Sequence, residues 1–486
     1  MGRLLLLLVG FCRVCRPWEV RTVENCVTDY LLKRGYRVNT TALELIHACD
    51  DWYANRKIPE FHRRNTVQNV PYDLKQLNLA KRCCSDDANL CEILDVNAGS
   101  TEQQKDFVNA ILADSEFQTQ YRKQLEKVSA DGTAACYVRL DDATIMKSGR
   151  VQGGRIRLNY VEAESYIPLT VENDVVTEAA FSGTGLEKGK KQTTLVIFTK
   201  DRAENYTAET AVFDEYGAKI EDKSIVLRLG DMKPFAVLQN AEVNNLDDMV
   251  GYGLPKLHNA IPALEVVELA FNVLYGDLDK ADKLILINEM LCQFDGSGKP
   301  ITPNEQAKKL FVLLGERLPA QKELIQEYNP EIRTEQITKA LELALSLLSL
   351  MFGYGTKKYS FEGGQIKTAT EYFGERQDSM QELNRQRQAA KRYIQDIVKA
   401  VLWFANTFQG GSWDLGADVN VEFDDSYITD KDAEMEQMRS DAVSFSDIPI
   451  FRIRYVMARL NCDEEQARQY IAEGQQDPDL GDETDD

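Results

Sequence analysis

The chain has few histidines and no cysteine framework, and both shortages limit the chemistry that it can carry. Only three histidines occur in 486 residues, at His47, His62 and His258, and none has an obvious catalytic partner. The ten cysteines follow no framework spacing. The C-x-x-C pair of Cys12 and Cys15 lacks the second pair that a zinc site needs. We therefore expect reduced thiols, no metal, no cofactor and no catalytic centre.

The sequence also lacks an excess of basic residues. Its 57 lysines and arginines are outnumbered by 78 aspartates and glutamates, which gives a formal net charge of −21. A protein that coats nucleic acid needs a basic face, so this composition excludes that class. It permits a protein that works beside DNA without adhering to it. The length and the 43% of hydrophobic residues predict a folded chain, with roughly two to four domains.

Long hydrophobic runs are missing as well. A short apolar run from Leu4 to Phe11 follows Arg3, as in an export signal. It is too short to span a bilayer, and no small-residue cleavage site follows it. We expect residues 1–19 to be a disordered leader, and we predict no membrane-spanning segment elsewhere. The acidic tail at residues 475–486 is also expected to be disordered.

Hydrophobic periodicity predicts a helical N-terminal region followed by a β-rich one. Helical spacing is present in three segments: 42–53, 77–94 and 103–128. Alternating or β-branched residues are present in three others: 137–140, 155–160 and 193–198. The expected class is α+β, with an antiparallel β-rich insertion between helical segments.

Two apolar helices are predicted in the second half of the chain. In residues 254–274, two apolar stripes flank a polar line made of Glu265, Glu268 and Asn272. A helix that is apolar on two sides is buried between two neighbours. In a monomer these would be parts of one core, and in a ring they would be adjacent subunits. Residues 333–352 form the second apolar helix, and a short mixed segment separates the two.

A glycine-rich loop follows the second helix. Its basic and aromatic members include Tyr354, Lys357, Lys358 and Tyr359. A capping box that begins at Thr368 predicts the start of a helix running toward Phe408, which would be about 60 Å long. Such a length suits a strut in an assembly. Farther on, Pro449 and Asp463 predict the starts of two more helices, and Gly474 predicts the end of the second.

Two segments are similar to functional motifs, and neither fits. Residues 182–191 suggest a phosphate-binding loop, but five residues instead of four separate Gly183 from Gly189. Lys191 also stands where Ser or Thr should hold magnesium, so a β-hairpin tip is expected. The other segment contains three aspartates that could bind a cation or form a catalytic pair: Asp424, Asp425 and Asp430. No histidine or spaced third carboxylate accompanies them, so we expect a solvated loop.

The remaining signal is an ordered series of patterns over residues 20–473. The N-terminal ones are Asp51-Trp52-Tyr53 with His62, and Leu77-Asn-Leu-Ala-Lys81 through Leu90. The next are Pro234-Phe-Ala-Val, Gly251-Tyr-Gly, Asn259-Ala, Ile332-Arg333, Leu347, Ser349 and Gly353. The last are Lys367-Thr-Ala-Thr-Glu371, which is the strongest, then Phe423-Asp-Asp-Ser and Glu464-Glu-Gln-Ala467. Together they resemble the portal proteins of long-tailed phages that infect Gram-positive bacteria, although Asp87-Ala-Asn replaces an aromatic pattern of that family.

The resemblance implies a portal fold and a dodecameric ring. On this chain it implies a wing at 20–250, helical and then β-rich, followed by a first stem helix at 252–282. A mixed clip at 283–330 leads to a second stem helix at 331–352 and a tunnel loop at 353–367. A long wing helix at 368–414 and a helical crown at 415–474 complete the series. The leader and the acidic tail lie outside the resemblance.

The resemblance also implies partners and a location. The partners are further copies of the chain, double-stranded DNA in the channel, the terminase large subunit, the head–tail adaptor, and the major capsid and scaffolding proteins, with no membrane. The location is one capsid vertex of the virion, and the host cytoplasm during assembly. The packaging ATPase must then be another protein.

Two groups of residues are candidates for contact with DNA. Tight phosphate binding would oppose sliding, so we expect the polar line of Glu265, Glu268 and Asn272 to face the channel. The basic pair Lys357 and Lys358, beside Tyr354 and Tyr359, would form a narrow collar in the ring. An exposed turn without function is the alternative for this loop. For the whole chain, the alternatives are another oligomeric scaffold and an enzyme fused to a portal-like module.

Overall fold

The structure is a computed structural model, and helices make up 50% of it and strands 23%. The expected α+β class is confirmed. The described residues are 21–99, 101–142, 144–145, 151–187, 189–221, 225–279, 281, 284–288, 296–297, 311–314, 325–329, 331–359, 369–424, 431–445, 448–460 and 462–476.

The helices span most of the first and last thirds of the described chain. They are α1 (Arg21–Lys33), α2 (Thr40–Tyr53), α3 (Pro59–His62), α4 (Leu79–Ala88), α5 (Glu102–Asp114), α6 (Phe117–Asp131), α7 (Lys256–Asp279), α8 (Thr334–Met351), α9 (Ala369–Phe408), α10 (Lys431–Ser444), α11 (Pro449–Leu460) and α12 (Glu464–Gln476).

The strands concentrate in the middle of the chain. They are β1 (Arg63–Asn65), β2 (Pro71–Asp73), β3 (Ile93–Ala98), β4 (Thr133–Asp141), β5 (Thr144–Ile145), β6 (Val151–Gln152), β7 (Arg155–Glu162), β8 (Tyr166–Glu172), β9 (Val175–Glu187), β10 (Lys190–Lys200), β11 (Tyr206–Phe213), β12 (Ile225–Arg228), β13 (Phe235–Gln239), β14 (Leu284–Asn288), β15 (Phe311–Leu314), β16 (Ile325–Tyr328) and β17 (Val419–Phe423).

Two predicted helices of the N-terminal region end earlier than expected. The segment 103–128 is two helices, because the chain breaks at Ser115 and at Glu116, whose φ is 51°. The segment 77–94 stops being α-helical after Ala88, and Ile93 and Leu94 belong to β3. By contrast α2 matches its prediction, and the Asn39 side chain caps it by accepting the Ala42 N–H at 3.1 Å.

The β-rich insertion is confirmed as antiparallel. One sheet has the strand order β12-β11-β10-β9-β8, and a second has the order β13-β4-β7. An aromatic cluster joins them: Tyr137 and Phe181 have ring centroids 5.0 Å apart, and Phe198 and Phe235 lie 5.8 Å apart. Each buried ring contributes about 1.5–3 kcal/mol, so this cluster fixes one sheet against the other.

The segment that is similar to a phosphate-binding loop lies in the β9–β10 hairpin. Glu187 pairs with Lys190, and Gly185 pairs with Gln192. A phosphate-binding loop connects a strand to a helix, whereas this segment connects two antiparallel strands. The expected hairpin tip is confirmed.

A small mixed sheet lies between α7 and α8 in the sequence. Its order is β15-β14-β16, with β14 parallel to β15 and antiparallel to β16. The helix bounds agree with the two predicted apolar helices to within a few residues at the N-terminal ends, and α7 extends beyond the prediction to Asp279.

The chain forms two compact units, one of Met1–Cys91 with Asp95–Val421 and one of Glu92–Leu94 with Glu422–Asp486. In the smaller unit, Asp463 caps α12 as predicted by accepting the Gln466 N–H at 2.7 Å. The predicted end at Gly474 is wrong, because α12 continues to Gln476. Helix α10 was not predicted.

Several predictions fall outside the described residues. They concern the leader at 1–19, Cys12 and Cys15, residues 360–367 of the expected tunnel loop, Thr368, Asp425, Asp430, and residues 477–486 of the acidic tail.

Candidate functional site

The pair of helices α7 and α8 forms an antiparallel hairpin. Near one end, the Asp277 carboxylate accepts two hydrogen bonds from Arg333, at 2.9 and 2.7 Å. Farther along, Val267 packs with Ala344 and Leu345. The two contacts fix the helices in opposite directions, with one apolar face of each turned toward the other.

A second apolar face of each helix is open to solvent in the described structure. The α7 stripe consists of Val266, Leu269 and Val273, and the α8 stripe of Leu343, Leu347, Leu350 and Met351; these side chains are 38–64% exposed. Spacings of three, four and seven residues put each stripe on one side of its helix. Within the described residues, the predicted two-sided apolar character is therefore satisfied on one side only. Large exposed apolar surfaces of this kind mark interaction sites.

By length and composition, α7 would also qualify as a membrane-crossing helix, with 28% of its apolar window buried. The core helix of a soluble protein passes the same test. Two charged residues on α7 are buried against partners within the chain: Lys256 is 0% exposed, and Glu268 is 4% exposed. We interpret α7 as a helix that packs against protein.

Two members of the polar line on α7, Glu268 and Asn272, contact residues of their own chain. The Glu268 carboxylate lies 2.9 Å from His62 Nε2, and it accepts the Leu77 N–H at 3.1 Å. The His62 Nδ1 lies 2.9 Å from the Ile58 backbone nitrogen and 3.2 Å from the Ile58 carbonyl oxygen, so contacts at both ring nitrogens fix the orientation of the imidazole. The Glu268 side chain is buried among residues of its own chain, and its position relative to a channel stays a prediction.

Asn272 continues this contact. Its Oδ1 accepts the Lys75 N–H at 2.7 Å, and its Nδ2 donates to the Lys75 carbonyl at 2.8 Å. The Lys75 ammonium lies 5.3 Å from the centre of the Tyr275 ring. Asn272 thus holds the segment before α4 onto α7 and does not point into open space. The third member of the line, Glu265, is half-buried, and its channel-facing role stays a prediction.

At the start of the expected tunnel loop, some side chains are exposed and others are buried in the core. Lys357 is exposed and Lys358 is half-buried, with its ammonium 5.5 Å from the centre of the Tyr354 ring. Tyr354 itself is only 3% exposed, so its ring lies in the core, and the channel role of this loop stays a prediction. Tyr359 is half-buried and donates its backbone N–H to Ser349 Oγ at 3.1 Å.

A buried ionic cluster anchors this loop. Lys256 Nζ lies 2.8 Å from Asp87 and 2.8 Å from Glu382. The Tyr354 hydroxyl donates to Asp87 at 2.8 Å, and Gln386 donates to both carboxylates at 3.1 and 3.0 Å. The carboxylates raise the pKa of Lys256 against the opposing effect of its burial, so it stays charged. The cluster joins α4, α7, α9 and the loop after α8.

This cluster could not be read from the sequence. Asp87 stands in a pattern that departs from the portal family, and Lys256 and Glu382 are 126 residues apart in the chain. Only a lysine within a strongly apolar helix gave a signal that a buried partner was needed. His62 was noticed for its place in a pattern, while its partner Glu268 was assigned to a solvent-facing line.

The described residues contain no group of three or more His, Cys, Asp or Glu side chains that could hold a metal ion. Their cysteines are free thiols: Cys26, Cys49, Cys83, Cys84, Cys91, Cys136 and Cys462. Burial raises the pKa of Cys83 and of Cys91 to about 12, which keeps both thiols protonated at neutral pH. A protonated thiol is a poor nucleophile and a poor metal ligand.

No protein-family model matches the sequence, and a search of curated proteins also finds no match. The chain is similar to a solved structure titled "Neck of native GTA particle computed with C12 symmetry", with a TM-score of 0.39, 12% identity, and coverage of 78% of this chain and 89% of that one. It is also similar to "Neck of empty GTA particle computed with C6 symmetry", with a TM-score of 0.37, 12% identity, and coverage of 76% and 87%. Both TM-scores are below 0.5, so we draw the function from the chain's own residues.

Proposed function

We propose that this chain is the ring-forming portal subunit of a tailed-phage particle, a structural protein without catalytic activity. The observation that carries the proposal is the α7–α8 hairpin, in which an apolar stripe on each helix stays exposed in the described residues. The small mixed sheet is formed by the residues that connect the two helices in the sequence. The order of helical region, β-rich insertion, α7, small sheet, α8, loop and α9 agrees with the order of regions that the sequence resemblance implies.

The two stripes are best covered by further copies of the same chain. A closed ring gives every copy two neighbours, so a stripe on each flank is buried without leaving a free end. An obligate contact of this kind buries more than about 2,000 Å². In this proposal α7 and α8 are the stem, the dodecameric ring surrounds double-stranded DNA, and Glu265 lies near the channel.

The remaining partners follow from the same proposal. The small sheet between α7 and α8 would be the clip, which docks the terminase large subunit during packaging and the head–tail adaptor afterwards. The C-terminal helical unit would be the crown, inside the capsid. The ring would occupy one vertex with the major capsid protein around it, after assembly with scaffolding protein in the host cytoplasm.

The contribution of the α7 stripe is testable by substitution. We expect Leu269→Glu with Val273→Glu to abolish ring formation, because two charges in each head-to-tail contact would replace apolar packing. The control is Leu186→Glu with Val243→Glu, which changes two residues of the same types that are 80% and 86% exposed elsewhere. Mass photometry measures the assembly, and circular dichroism checks the fold. Rings formed by the stripe variant would count against α7 as a subunit contact.

The two loop lysines remain candidates for weak contact with phosphates. An exposed Lys357 repeated around a ring would make a basic collar on an otherwise acidic protein. We expect Lys357→Glu with Lys358→Glu to weaken binding of purified rings to a short DNA duplex roughly tenfold at low salt, and to reduce the salt dependence of binding.

The matched control for these lysines is Lys190→Glu with Lys191→Glu. It changes an adjacent pair with the same pattern of one exposed and one half-buried lysine, on the β9–β10 hairpin. Equal loss of DNA binding in both variants would show that net charge matters and that the loop has no special role.

A further inference from the structure

A short hairpin stands out from the fold between α3 and α4. Strands β1 and β2 pair with Arg63 opposite Asp73. The turn is closed by the Thr66 N–H, which donates to the Val70 carbonyl at 2.9 Å, and by the Val70 N–H, which donates to Thr66 Oγ1 at 3.1 Å. Every residue from Arg63 to Asp73 is exposed, and we call this segment the arm.

The arm presents apolar side chains to solvent. Val67 is 107% exposed, Val70 is 55% exposed and Tyr72 is 48% exposed. An isolated two-stranded hairpin is marginally stable in water, and apolar residues at its tip and on its strands add nothing to its stability while they remain hydrated. The arm therefore needs a surface that the described part of its own chain does not supply.

The base of the arm is held rigidly. The Leu74 N–H donates to the His62 carbonyl at 2.8 Å, which closes the hairpin just beyond β2. His62 is fixed by the buried Glu268, and Lys75 is fixed by Asn272, as described above. The polar line of α7 thus orients the arm before any partner binds, and such preorganisation lowers the entropic cost of docking.

We propose that the arm of one copy docks on the α8 stripe of the adjacent copy. This inference rests on the proposed ring. Each contact in a ring is head-to-tail, so it joins two different surfaces of the chain. The arm and the α8 stripe are such a pair, because each exposes apolar side chains that the described residues leave uncovered.

Charge also favours a second copy as the occupant. The arm is basic through Arg63 and Arg64, because Lys57 neutralises Asp73. On α8, Lys339 neutralises Glu335 at 2.6 Å in the same way, and the acidic residue that remains beside the stripe is Glu342, directly before Leu343. A carboxylate beside an apolar stripe complements a basic arm with an apolar tip.

The test uses two variants of the full chain that are each defective on one side of the contact. The arm variant is Val67→Asp with Tyr72→Asp, and the stripe variant is Leu343→Asp with Leu347→Asp. The control is Val243→Asp with Tyr216→Asp, which changes the same residue types where both are 86% exposed. Mass photometry and negative-stain imaging measure assembly, and circular dichroism confirms that each variant is folded.

We expect rings from the wild type and the control, and monomers from each defective variant alone. An equimolar mixture of the two variants should give dimers and nothing larger. The stripe variant still has an intact arm, which can dock on the intact α8 stripe of the arm variant. The opposite contact, between the altered arm and the altered stripe, cannot form. A mixture that stays monomeric would overturn the proposal.

Rings that persist in the arm variant would overturn the arm contact alone and leave the portal proposal standing. A wild-type protein that never assembles would overturn both. If Arg63→Glu with Arg64→Glu forms normal rings but binds a DNA duplex more weakly, the arm contacts nucleic acid, and its docking on a neighbour is wrong.

Discussion

Lys256 shows how a single buried cation organises four segments of this protein. It has no exposure to solvent, yet it contacts Asp87 on α4 and Glu382 on α9. Removing one partner from a buried ion pair leaves an uncompensated charge, which costs more than the pair contributes. The loop after α8 depends on the same cluster, because the Tyr354 hydroxyl donates to Asp87.

We expect Lys256→Met to lower the free energy of unfolding by about 3–5 kcal/mol, because two carboxylates lose their cation in the core. The matched control is Lys339→Met on α8, whose partner Glu335 is 76% exposed, and its effect should be below about 0.5 kcal/mol. Urea denaturation measures both. Similar losses in the two variants would contradict the role given to the buried cluster.

Asp131, at the end of α6, is another buried ionisable residue. It is 0% exposed, and Lys127 Nζ lies 3.0 Å from its Oδ2. Burial raises the pKa of Asp131 to about 7, against the opposing attraction of Lys127. The native state therefore holds this proton up to higher pH than the unfolded chain does.

The pH dependence follows from this difference. Between pH about 4 and about 7 unfolding releases a proton from Asp131, so its contribution to the free energy of unfolding falls as pH rises. We expect Asp131→Asn to remove that contribution, so that the variant gains stability relative to the wild type across this window, by up to about 4 kcal/mol. Chemical denaturation at several pH values measures the difference. A constant difference from pH 4 to 7 would contradict the raised pKa of Asp131.

Residue roles were the least predictable level from sequence. Periodicity correctly grouped Glu265, Glu268 and Asn272 on one side of a helix. It could not show what lies opposite, because His62 and Lys75 are about 200 residues away in the chain. Tyr354 was likewise placed in a tunnel loop on the resemblance alone, and nothing in the sequence showed that its hydroxyl reaches a carboxylate 267 residues away.

At the scale of elements, a close approach of two glycines places α6 against the segment that leads into α7. Gly132 ends α6 with a φ of 81°, and its N–H donates to the Val128 carbonyl at 2.8 Å. A Cβ on Gly132 would lie 2.1 Å from the Gly253 carbonyl oxygen. No side chain fits there without moving the backbone.

We expect Gly132→Ala to destabilise the protein by more than about 4 kcal/mol, because left-handed backbone strain and a steric clash act together. The control is Gly153→Ala, with a φ of 72° and no atom within 4 Å of the added Cβ, which should cost about 1 kcal/mol. Thermal unfolding compares the two. Equal shifts of the melting temperature in the two variants would show that the close contact between Gly132 and Gly253 does not add to the cost of the substitution.

Element type was predictable where the pattern was long and regular. The strands β4, β7 and β10 and the helices α2, α7 and α8 agree with periodicity, because each buries a continuous face, while α9 agrees with a prediction made from its capping box. The errors fall where local signals are weak. Helix α10 lacks a clear apolar face, and the break at Glu116 requires a non-glycine residue with positive φ, which a sequence pattern does not reveal.

For the whole molecule, the proposed ring would bury surface that the described part of the chain leaves exposed. The α7 stripe, the α8 stripe and three residues of the arm expose apolar side chains: Val67, Val70 and Tyr72. The formal net charge of −21 keeps such copies soluble and also repels DNA. A ring built from them would guide a duplex without binding it tightly, which is the physical requirement for a DNA channel.

Single-particle imaging of the purified full-length protein tests this account most directly. We predict closed rings with a central hole, formed by about a dozen copies and persisting at micromolar concentration, since obligate ring subunits bury their apolar flanks only in the assembly. A folded protein that stays monomeric at every concentration, with α7 and α8 still exposed, would contradict it.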